Sequence, residues 1–287
     1  MNLLEWHKII PEILFCRGWQ TTSPTFGRLP TYAEKMLPET VWKMRGSSTG
    51  MYAEFLTDST QIHVQWELEE NLLGEINFNV CAYSGIDLYC RSGRTWRWVS
   101  MANASGRENT EELLPGLSKK KRHFRLYLPL RNSVKSMAIG TEKQSFFSWV
   151  ESSGIKPAVY YGSSIIHGSY TSRPGLGITS RLSRRLNLPI INLGFSGAAK
   201  MEQGMAGLLG ELDTHFFLID PLPNMDLKLV TERMEPFLWH LCSAKPDTPV
   251  IFITDPDRCG AWIYPDKTKA HQNKRKTAIA IFQKMQK

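Results

Sequence analysis

Three turns in the second half of the chain carry residues that together could perform acyl transfer. Ser164, Gly197 and Asn224 each follow a short apolar run. A serine hydroxyl can attack an acyl carbon, while backbone N–H groups and a side-chain amide can donate hydrogen bonds to the oxyanion that forms. A glycine allows a backbone N–H to approach closely. The pattern predicts a nucleophile and its oxyanion donors, provided that the fold brings the three turns together.

The same half of the chain alternates between strand and helix patterns, which would place these turns side by side. Short apolar runs predict strands, and apolar stripes at helical spacing predict helices. The strands are expected at 158–161, 189–193, 216–219 and 250–254, and the helices at 178–186, 201–212, 230–241 and 278–285. Alternation of this kind predicts a parallel sheet covered by helices, with sites outside the carboxyl ends of the strands.

The first half of the chain has the pattern of an antiparallel β-sandwich. Ile62, Val64 and Trp66 alternate with polar residues, as in a half-buried strand. Further strands are expected at 76–83, 86–90, 95–101, 124–128 and 136–139, separated by Gly, Asn and Ser. We therefore expect two domains, a sandwich over 1–152 and an α/β domain over 153–287.

Composition and charge exclude several classes of protein. The 287 residues are 42% hydrophobic and 22% charged, and no apolar run is long enough to span a membrane. The net charge of +8 is concentrated in part at 265–287, where the aromatic interleaving of a nucleic-acid module is absent. Five irregularly spaced cysteines predict neither a disulfide framework nor a zinc site. No signal peptide is visible, so the expected compartment is the cytoplasm by default.

The motifs resemble those of the SGNH, or GDSL-like, hydrolases, which have a flavodoxin-like α/β fold. YGSSIIHG resembles the block that carries the nucleophile, INLGFSG the glycine block and PLPNMD the asparagine block. GIDLY, starting at Gly85, and RGWQTTSPTFGRLP resemble the amino-terminal β-sandwich of one subgroup. The resemblance implies that Ser164 is the nucleophile and that the N–H groups of Ser164 and Gly197 and the amide of Asn224 hold the oxyanion.

The sequence departs from the family pattern in two places. Ala198 stands where the subgroup usually has an asparagine after the glycine turn. The D-x-x-H block, which carries the catalytic base, occurs nowhere in the chain. The resemblance therefore implies an α/β domain without its carboxyl-terminal D-x-x-H segment. Losing the histidine of a serine triad costs on the order of 10⁶ in turnover, so we expect weak activity or none.

Several polar residues allow two interpretations. His167 and His271 are alternative bases, although neither matches the family block. Arg173 either binds substrate or supports the serine loop, and Glu202 either acts at the site or suits a helix start. Asp255 and Asp257 lie beside Arg258. We expect them to form a turn and ion pairs in preference to binding a metal ion. Trp96 and Trp98 share one strand face and belong either to the core or to a sugar-binding surface.

The expected function is hydrolysis of a carboxylic ester, with a small molecule or an acetylated carbohydrate as substrate. No metal or organic cofactor is implied, and neither nucleic acid nor a membrane is an expected partner. Two alternatives come from other classes of protein. One is a non-catalytic carbohydrate-binding protein derived from a hydrolase, and the other is a truncated fragment that would expose the edge of its sheet.

Overall fold

A computed structural model describes residues 3–151, 154–257 and 259–286. Its amino-terminal half consists mainly of strands. In chain order these are β1 (Leu4–Lys8), β2 (Tyr52–Thr57), β3 (Ile62–Leu68), β4 (Ile86–Ser92), β5 (Thr95–Ala102), β6 (Glu108–Leu114), β7 (Arg122–Tyr127), β8 (Val134–Glu142) and β9 (Phe147–Trp149). The short helices α1 (Glu39–Trp42) and α2 (Val80–Ser84) lie between them.

These strands form the antiparallel sandwich that the sequence predicts. One sheet has the order β1-β8-β3-β6 and the other the order β5-β4-β7-β2-β9. Ile62, Val64 and Trp66 of β3 are buried between the sheets, while His63 and Gln65 lie on the outer face. The expected alternation along β3 is confirmed.

The strand expected at 76–83 is wrong. Glu75 and Phe78 form a tight turn with two backbone hydrogen bonds, and the chain then enters α2. Asn79 caps this helix, because its side-chain oxygen accepts a hydrogen bond from the Ala82 N–H at 2.8 Å. The apolar residues Phe78, Ala82 and Tyr83 therefore pack from a helical turn instead of a strand.

The carboxyl-terminal half alternates between strands and helices. Its elements are β10 (Ala158–Gly162), α3 (Ser164–His167), α4 (Ile178–Leu186), β11 (Ile190–Gly194), α5 (Gln203–Glu211), β12 (Phe217–Asp220), α6 (Leu227–Ala244), β13 (Val250–Phe252) and α7 (Pro265–Met285). The strands are parallel, in the order β11-β10-β12-β13. The predicted α/β architecture is confirmed, with each predicted strand and helix of this half present within a few residues, except that α7 begins 13 residues before its apolar stripe at 278.

Helices cover both faces of the parallel sheet. The buried faces of α5, α6 and α7 pack on one side, around Tyr161, Leu193 and Phe217. On the other side, α3 and α4 pack against Tyr160 and Ile190. Among the described residues, no helix is both long and apolar enough to cross a lipid bilayer.

The predicted division of the chain at 152/153 stays a prediction, because both residues lie outside the described ones. The core of the α/β half includes residues from the amino-terminal part of the chain. A segment of the amino-terminal part, residues 29–44, contributes Leu29, Val41 and Trp42 to the core of the α/β half. The two halves therefore share a hydrophobic core as well as a covalent link.

Asp87 of the GIDLY segment fastens the sandwich to the α/β half. Its carboxylate is fully buried and accepts hydrogen bonds from the Gly175 N–H and the Trp98 indole N–H, both at 2.8 Å. The same carboxylate forms an ion pair with Arg173, with Nε 3.2 Å from Oδ2. Burial raises the pKa of Asp87 to about 6, although the Arg173 guanidinium opposes that rise.

Removal of the Asp87 carboxylate should destabilise the protein strongly. In Asp87→Ala, three donors from Gly175, Trp98 and Arg173 lose the fully buried carboxylate that they share. Breaking a buried pair in this way typically costs about 3–5 kcal/mol. Urea unfolding should show this loss, whereas Asp213→Ala, at an exposed ion pair with Lys156, should unfold almost as the wild type does. Equal unfolding midpoints for the two variants would contradict the role of Asp87.

Candidate active site

Ser164 lies at the turn from β10 into α3, where its reactive groups remain free. Ser163 caps the helix, with its side-chain oxygen 3.4 Å from the Ile165 N–H, so the cap role belongs to Ser163 and Ser164 is the first helical residue. Ser164 is half-buried. Among the described residues, no hydrogen bond uses its hydroxyl or its N–H. The first N–H groups of a helix have no partner within the helix and are available to a ligand.

The glycine turn after β11 lies directly against the nucleophile turn. A Cβ atom at Gly194 would overlap the backbone nitrogen of His167 and lie 2.6 Å from the carbonyl carbon of Ile166. Only a glycine permits this approach between two backbones. Gly197 follows in the left-handed conformation, with φ +67°, at an exposed position. Its N–H donates to no acceptor within the described parts of the chain.

Arg28, from the amino-terminal segment, holds this glycine turn from beneath. Its buried guanidinium donates to the carbonyl oxygens of Gly194 at 2.7 Å, Asn192 at 3.3 Å and Met44 at 3.1 Å, and lies 4.6 Å from the ring centre of Phe195. Burial lowers the pKa of Arg28 to about 9, which still leaves it charged at neutral pH. No local sequence pattern reveals this role of Arg28, because Asn192 and Gly194 lie more than 160 positions away.

Asn224 lies next to the glycine turn, but its amide is already in use. Its two N–H groups donate to the carbonyl oxygens of Phe195 and Ala199, each at 3.2 Å. The nitrogen must face these carbonyls, because a side-chain oxygen in its place would meet two other acceptors. Asn224 therefore braces the glycine turn. Its role as an oxyanion donor stays a prediction, and it requires one of these two hydrogen bonds to be exchanged for the ligand.

His167 supports the same turn from the opposite side. Its ring is fully buried, with Nδ1 3.1 Å from the Ser196 hydroxyl and the ring edge-on to Phe78. Burial, together with the charges of Arg28 and Arg131, lowers the pKa of His167 well below its ordinary value of 6.5. The ring is therefore neutral at physiological pH and contacts Ser196 instead of Ser164.

Asp255, at the end of β13, organises a second polar cluster. Its buried carboxylate forms ion pairs with Lys274 at 2.6 Å and with His271 Nδ1 at 3.2 Å. The Lys274 ammonium also donates to the carbonyl oxygens of Leu222 and Met225, on either side of Asn224. The cluster thereby ties α7 to the asparagine turn.

The remaining polar residues of the sequence analysis are placed as follows. Asp257 forms an ion pair with Arg275 at 2.6 Å, as expected for an ion-pair residue, and Arg258 lies outside the described residues. Glu202 accepts hydrogen bonds from the Tyr161 hydroxyl and the Lys200 N–H within the fold. Within the described ranges, no group of three or more His, Cys, Asp or Glu residues could hold a metal ion.

Arg173 is held by the sandwich and not by the nucleophile turn. Besides its ion pair with Asp87, its guanidinium lies 4.9 Å from the ring centre of Trp98 and 3.5 Å from the Tyr89 hydroxyl. These contacts match the supporting role that the sequence analysis weighed. A substrate contact by Arg173 stays a prediction.

Asp220 is a buried acid at the end of β12, beside the nucleophile turn. Its backbone carbonyl accepts a hydrogen bond from the Ser163 N–H at 3.2 Å, and its Oδ2 lies 3.4 Å from the Tyr160 hydroxyl. Oδ1 is buried without a hydrogen-bond partner among the described residues. Burial raises the pKa of Asp220 to about 7, and the nearby Asp255 carboxylate adds to the rise.

The geometry thus brings a free serine hydroxyl and two free backbone N–H groups to one edge of a parallel sheet. Two sequence families match the two halves of the chain. Residues 155–287 match the GDSL-like lipase/acylhydrolase family, and residues 4–147 match the N-terminal domain of SGNH-hydrolase-type esterases, the GxDLY domain. The chain belongs to the GDSL-like hydrolase family. The sequence resemblance is therefore confirmed, and GIDLY is the GxDLY signature.

Solved structures agree with this assignment. A candidate GDSL-like lipase from Bacteroides ovatus is 27% identical, with a TM-score of 0.93, over 99% of this chain and 84% of that one. The salicylyl-acyltransferase SsfX3 of a tetracycline biosynthetic pathway is 16% identical, with a TM-score of 0.67, over 96% and 80% of the two chains. An acetyl xylan esterase from the rumen bacterium Butyrivibrio proteoclasticus is 12% identical, with a TM-score of 0.55, over 96% and 87%. The last two show the fold alone. Among curated proteins, none matches this chain in sequence.

The two glycines of the turn after β11 should respond differently to a methyl group. In Gly194→Ala the new Cβ overlaps backbone that cannot rotate away, and overpacking of this kind costs about 1–3 kcal/mol or more. In Gly197→Ala the Cβ enters open space, so only the left-handed backbone is penalised, by about 1–2 kcal/mol. Urea unfolding should therefore rank Gly194→Ala as the less stable variant. The reverse order would refute the close contact between the two turns.

Asp220 should make stability depend on pH. Its folded-state pKa of about 7 lies above the ordinary 3.8, so the folded state favours the protonated acid. The contribution of Asp220 to the free energy of unfolding is fully present below pH 3.8. It is lost as the pH rises towards 7, by as much as about 4 kcal/mol. Asp220→Asn removes this loss.

Thermal unfolding between pH 4 and pH 8 can check this dependence. Asp220→Asn should be more stable than the wild type at pH 8, and the difference should shrink towards pH 4. Asp247→Asn, at an exposed loop position, serves as the control and should follow the wild type across the range. A constant difference between Asp220→Asn and the wild type would contradict the raised pKa.

Proposed function

We propose that this GDSL-like hydrolase is a serine esterase that uses Ser164 as its nucleophile. The observation that supports this most directly is the free hydroxyl of Ser164 at the carboxyl end of β10, while the N–H of Gly197, in the turn after the neighbouring strand β11, is also without a partner among the described residues. Family membership supports hydrolysis as the reaction. Each backbone donor aimed at an oxyanion typically contributes about 10²–10³ in turnover.

The reaction follows from the atoms at this turn. The Ser164 Oγ attacks the acyl carbon while a base takes the hydroxyl proton. The N–H groups of Ser164 and Gly197 hold the negative oxygen of the tetrahedral intermediate. The alcohol leaves with a proton from the base, and water, deprotonated by the same base, then attacks the acyl-serine and releases the acid.

The base is the part of the site that this sequence does not supply in the family form. No D-x-x-H occurs in it, and within the described residues no histidine forms a hydrogen bond with Ser164. His271 is the histidine of the α/β half that has an acidic partner, and its Nε2 is buried without a hydrogen-bond partner in the described parts of the chain. We therefore propose slow turnover limited by proton transfer.

The proposed substrate class is an acetyl ester of a carbohydrate. The fold is shared with an acetyl xylan esterase and with family two carbohydrate esterases from Cellvibrio japonicus and Clostridium thermocellum. The nucleophile turn also has exposed apolar neighbours, with Ile165 38% and Tyr170 83% exposed. An aromatic side chain in such a place suits the apolar face of a sugar ring.

Chemical rescue by imidazole tests the nucleophile and the missing base together. Hydrolysis of p-nitrophenyl acetate by the wild type should be slow and should rise in free imidazole, after subtraction of the reaction of imidazole alone. Ser164→Ala should abolish this gain, whereas Ser172→Ala, which removes an exposed hydroxyl from the same loop, should retain it. Acetate release from acetylated xylan under the same conditions tests the substrate class.

Three outcomes would change the proposal. Equal rates for the wild type and Ser164→Ala, with and without imidazole, would refute Ser164 as the nucleophile. Fast turnover without imidazole that disappears in His271→Asn would show that α7 supplies the base. Rescue on p-nitrophenyl acetate without acetate release from xylan would refute the carbohydrate ester alone.

A non-catalytic binding protein is the second candidate, and the state of Asn224 favours it. Both N–H groups of the Asn224 amide are held by backbone carbonyls, so this donor is not poised for an oxyanion. Saturable binding of a neutral xylan oligosaccharide, unchanged in Ser164→Ala and without imidazole-dependent turnover, would support this candidate over the esterase.

A further inference from the structure

A cleft lined by arginine separates the sandwich from the α/β half on the side away from β13. Its volume is about 580 Å³, within the usual range of ligand pockets. One wall consists of the turn between β4 and β5 and the first residues of β5, and the other is the exposed face of α4. The lining consists of Arg94, Thr95, Trp96, Ile178, Arg181, Leu182, Arg184 and Arg185.

The positive charge of this cleft is only partly offset by acidic side chains, since the buried Asp87 carboxylate acts electrostatically on Arg184 alone among the four arginines. Within the described residues, none of its four arginines forms an ion pair. The sequence contributes to this, because residues 88–107 and 152–201 have no Asp or Glu, and the one acid of β4, Asp87, forms its ion pair with Arg173. Glu54, on strand β2 of the same sheet, is itself paired with Arg125 and His123.

Two side chains of the cleft, Arg184 and Trp96, are held in place by contacts within the fold. The Arg184 guanidinium donates to the Tyr127 hydroxyl at 3.0 Å and lies 4.1 Å from the ring centre of Tyr89. Trp96 is half-buried, with Arg125 lying 4.4 Å from its ring centre. A cation and an indole that are held before a ligand arrives lose less entropy on binding.

We propose that this cleft binds an acidic oligosaccharide, one that carries carboxylate or sulfate groups. Guanidinium groups bind planar oxyanions through paired N–H donors, and the Trp96 indole offers an apolar surface to a sugar ring. A single-stranded nucleic acid would need a series of aromatic platforms along a groove, whereas this cleft contains one aromatic residue. The choice of a saccharide rests on the proposed carbohydrate substrate, while the preference for an anion rests on the four arginines.

The cleft is separate from the nucleophile turn. None of the residues that line the cleft belongs to the turns that carry Ser164, Gly197 and Asn224. The acidic oligosaccharide is therefore held at a second site and does not contact Ser164. Its binding can be measured without turnover, so failure of this proposal and failure of the esterase proposal are distinguishable.

Isothermal titration calorimetry of the full chain tests the proposal with four probes. These are a hexagalacturonate, a sulfated heparin hexasaccharide, neutral cellohexaose and a single-stranded dT oligonucleotide of twelve bases. At least one acidic oligosaccharide should bind saturably, about tenfold or more tighter than cellohexaose and tighter than the oligonucleotide. The two acidic probes distinguish carboxylate from sulfate recognition. Binding should weaken as salt is added, because salt screens the exposed arginines.

Matched charge removals locate the site. In Arg94→Gln/Arg181→Gln, two exposed guanidinium groups are lost from opposite walls, and affinity for the acidic oligosaccharide should fall about 100-fold. Lys119→Gln/Lys120→Gln removes the same charge from an exposed run elsewhere on the sandwich and should change affinity by less than about twofold.

The proposal fails if neither acidic oligosaccharide binds saturably to the wild type. It also fails if the oligonucleotide binds tighter than both of them, which would indicate a nucleic-acid site, or if the two double variants lose affinity equally. Circular dichroism should show both double variants folded, since the substituted side chains are exposed.

Discussion

The close approach of the Gly194 backbone to Ile166 and His167 fixes the distance between the nucleophile turn and the oxyanion turn. Everything else at the site either permits that contact or holds it in place. Arg28 binds the carbonyl of Gly194 from below, the Asn224 amide binds the carbonyls of Phe195 and Ala199 from the side, and His167 binds Ser196. Ser164 and Gly197 keep free donors because their neighbours take up the structural hydrogen bonds.

The two buried carboxylates near the site, Asp255 and Asp220, differ in the number of cations that neutralise them. Asp255 has two cationic neighbours in Lys274 and His271, while Asp220, one strand nearer to Ser164, has only a tyrosine hydroxyl. Lys274 does not neutralise Asp220 as well, because its ammonium group is already bound to Asp255 and to two backbone carbonyls. The surroundings of Asp220 therefore raise its pKa to about 7, so that a substantial fraction of this acid is protonated near neutral pH.

Local sequence patterns were sufficient to predict most helices and strands. They were not sufficient to predict contacts between residues far apart in the chain. Period-two alternation placed β3, and helical spacing placed α4, α5 and α6, because burial of one face acts over neighbouring residues. The strand expected at 76–83 was wrong because the Asn79 cap, a single polar side chain, outweighed the apolar character of the segment. The structural partners of Arg28 and Asp87 lie far along the chain, so no window of sequence contains both members of either contact.

The segment that carries Arg28 also has a consequence for the modular history of this protein. Residues 29–44 follow Arg28 directly and lie between strands β1 and β2 of the sandwich, yet they contribute Leu29, Val41 and Trp42 to the core of the α/β half. Exchange of one domain for another by recombination near residue 152 would remove both this piece of core and the arginine that holds the glycine turn. A swapped sandwich would therefore have to bring with it a segment that supplies the same core contacts and the same guanidinium to the α/β half.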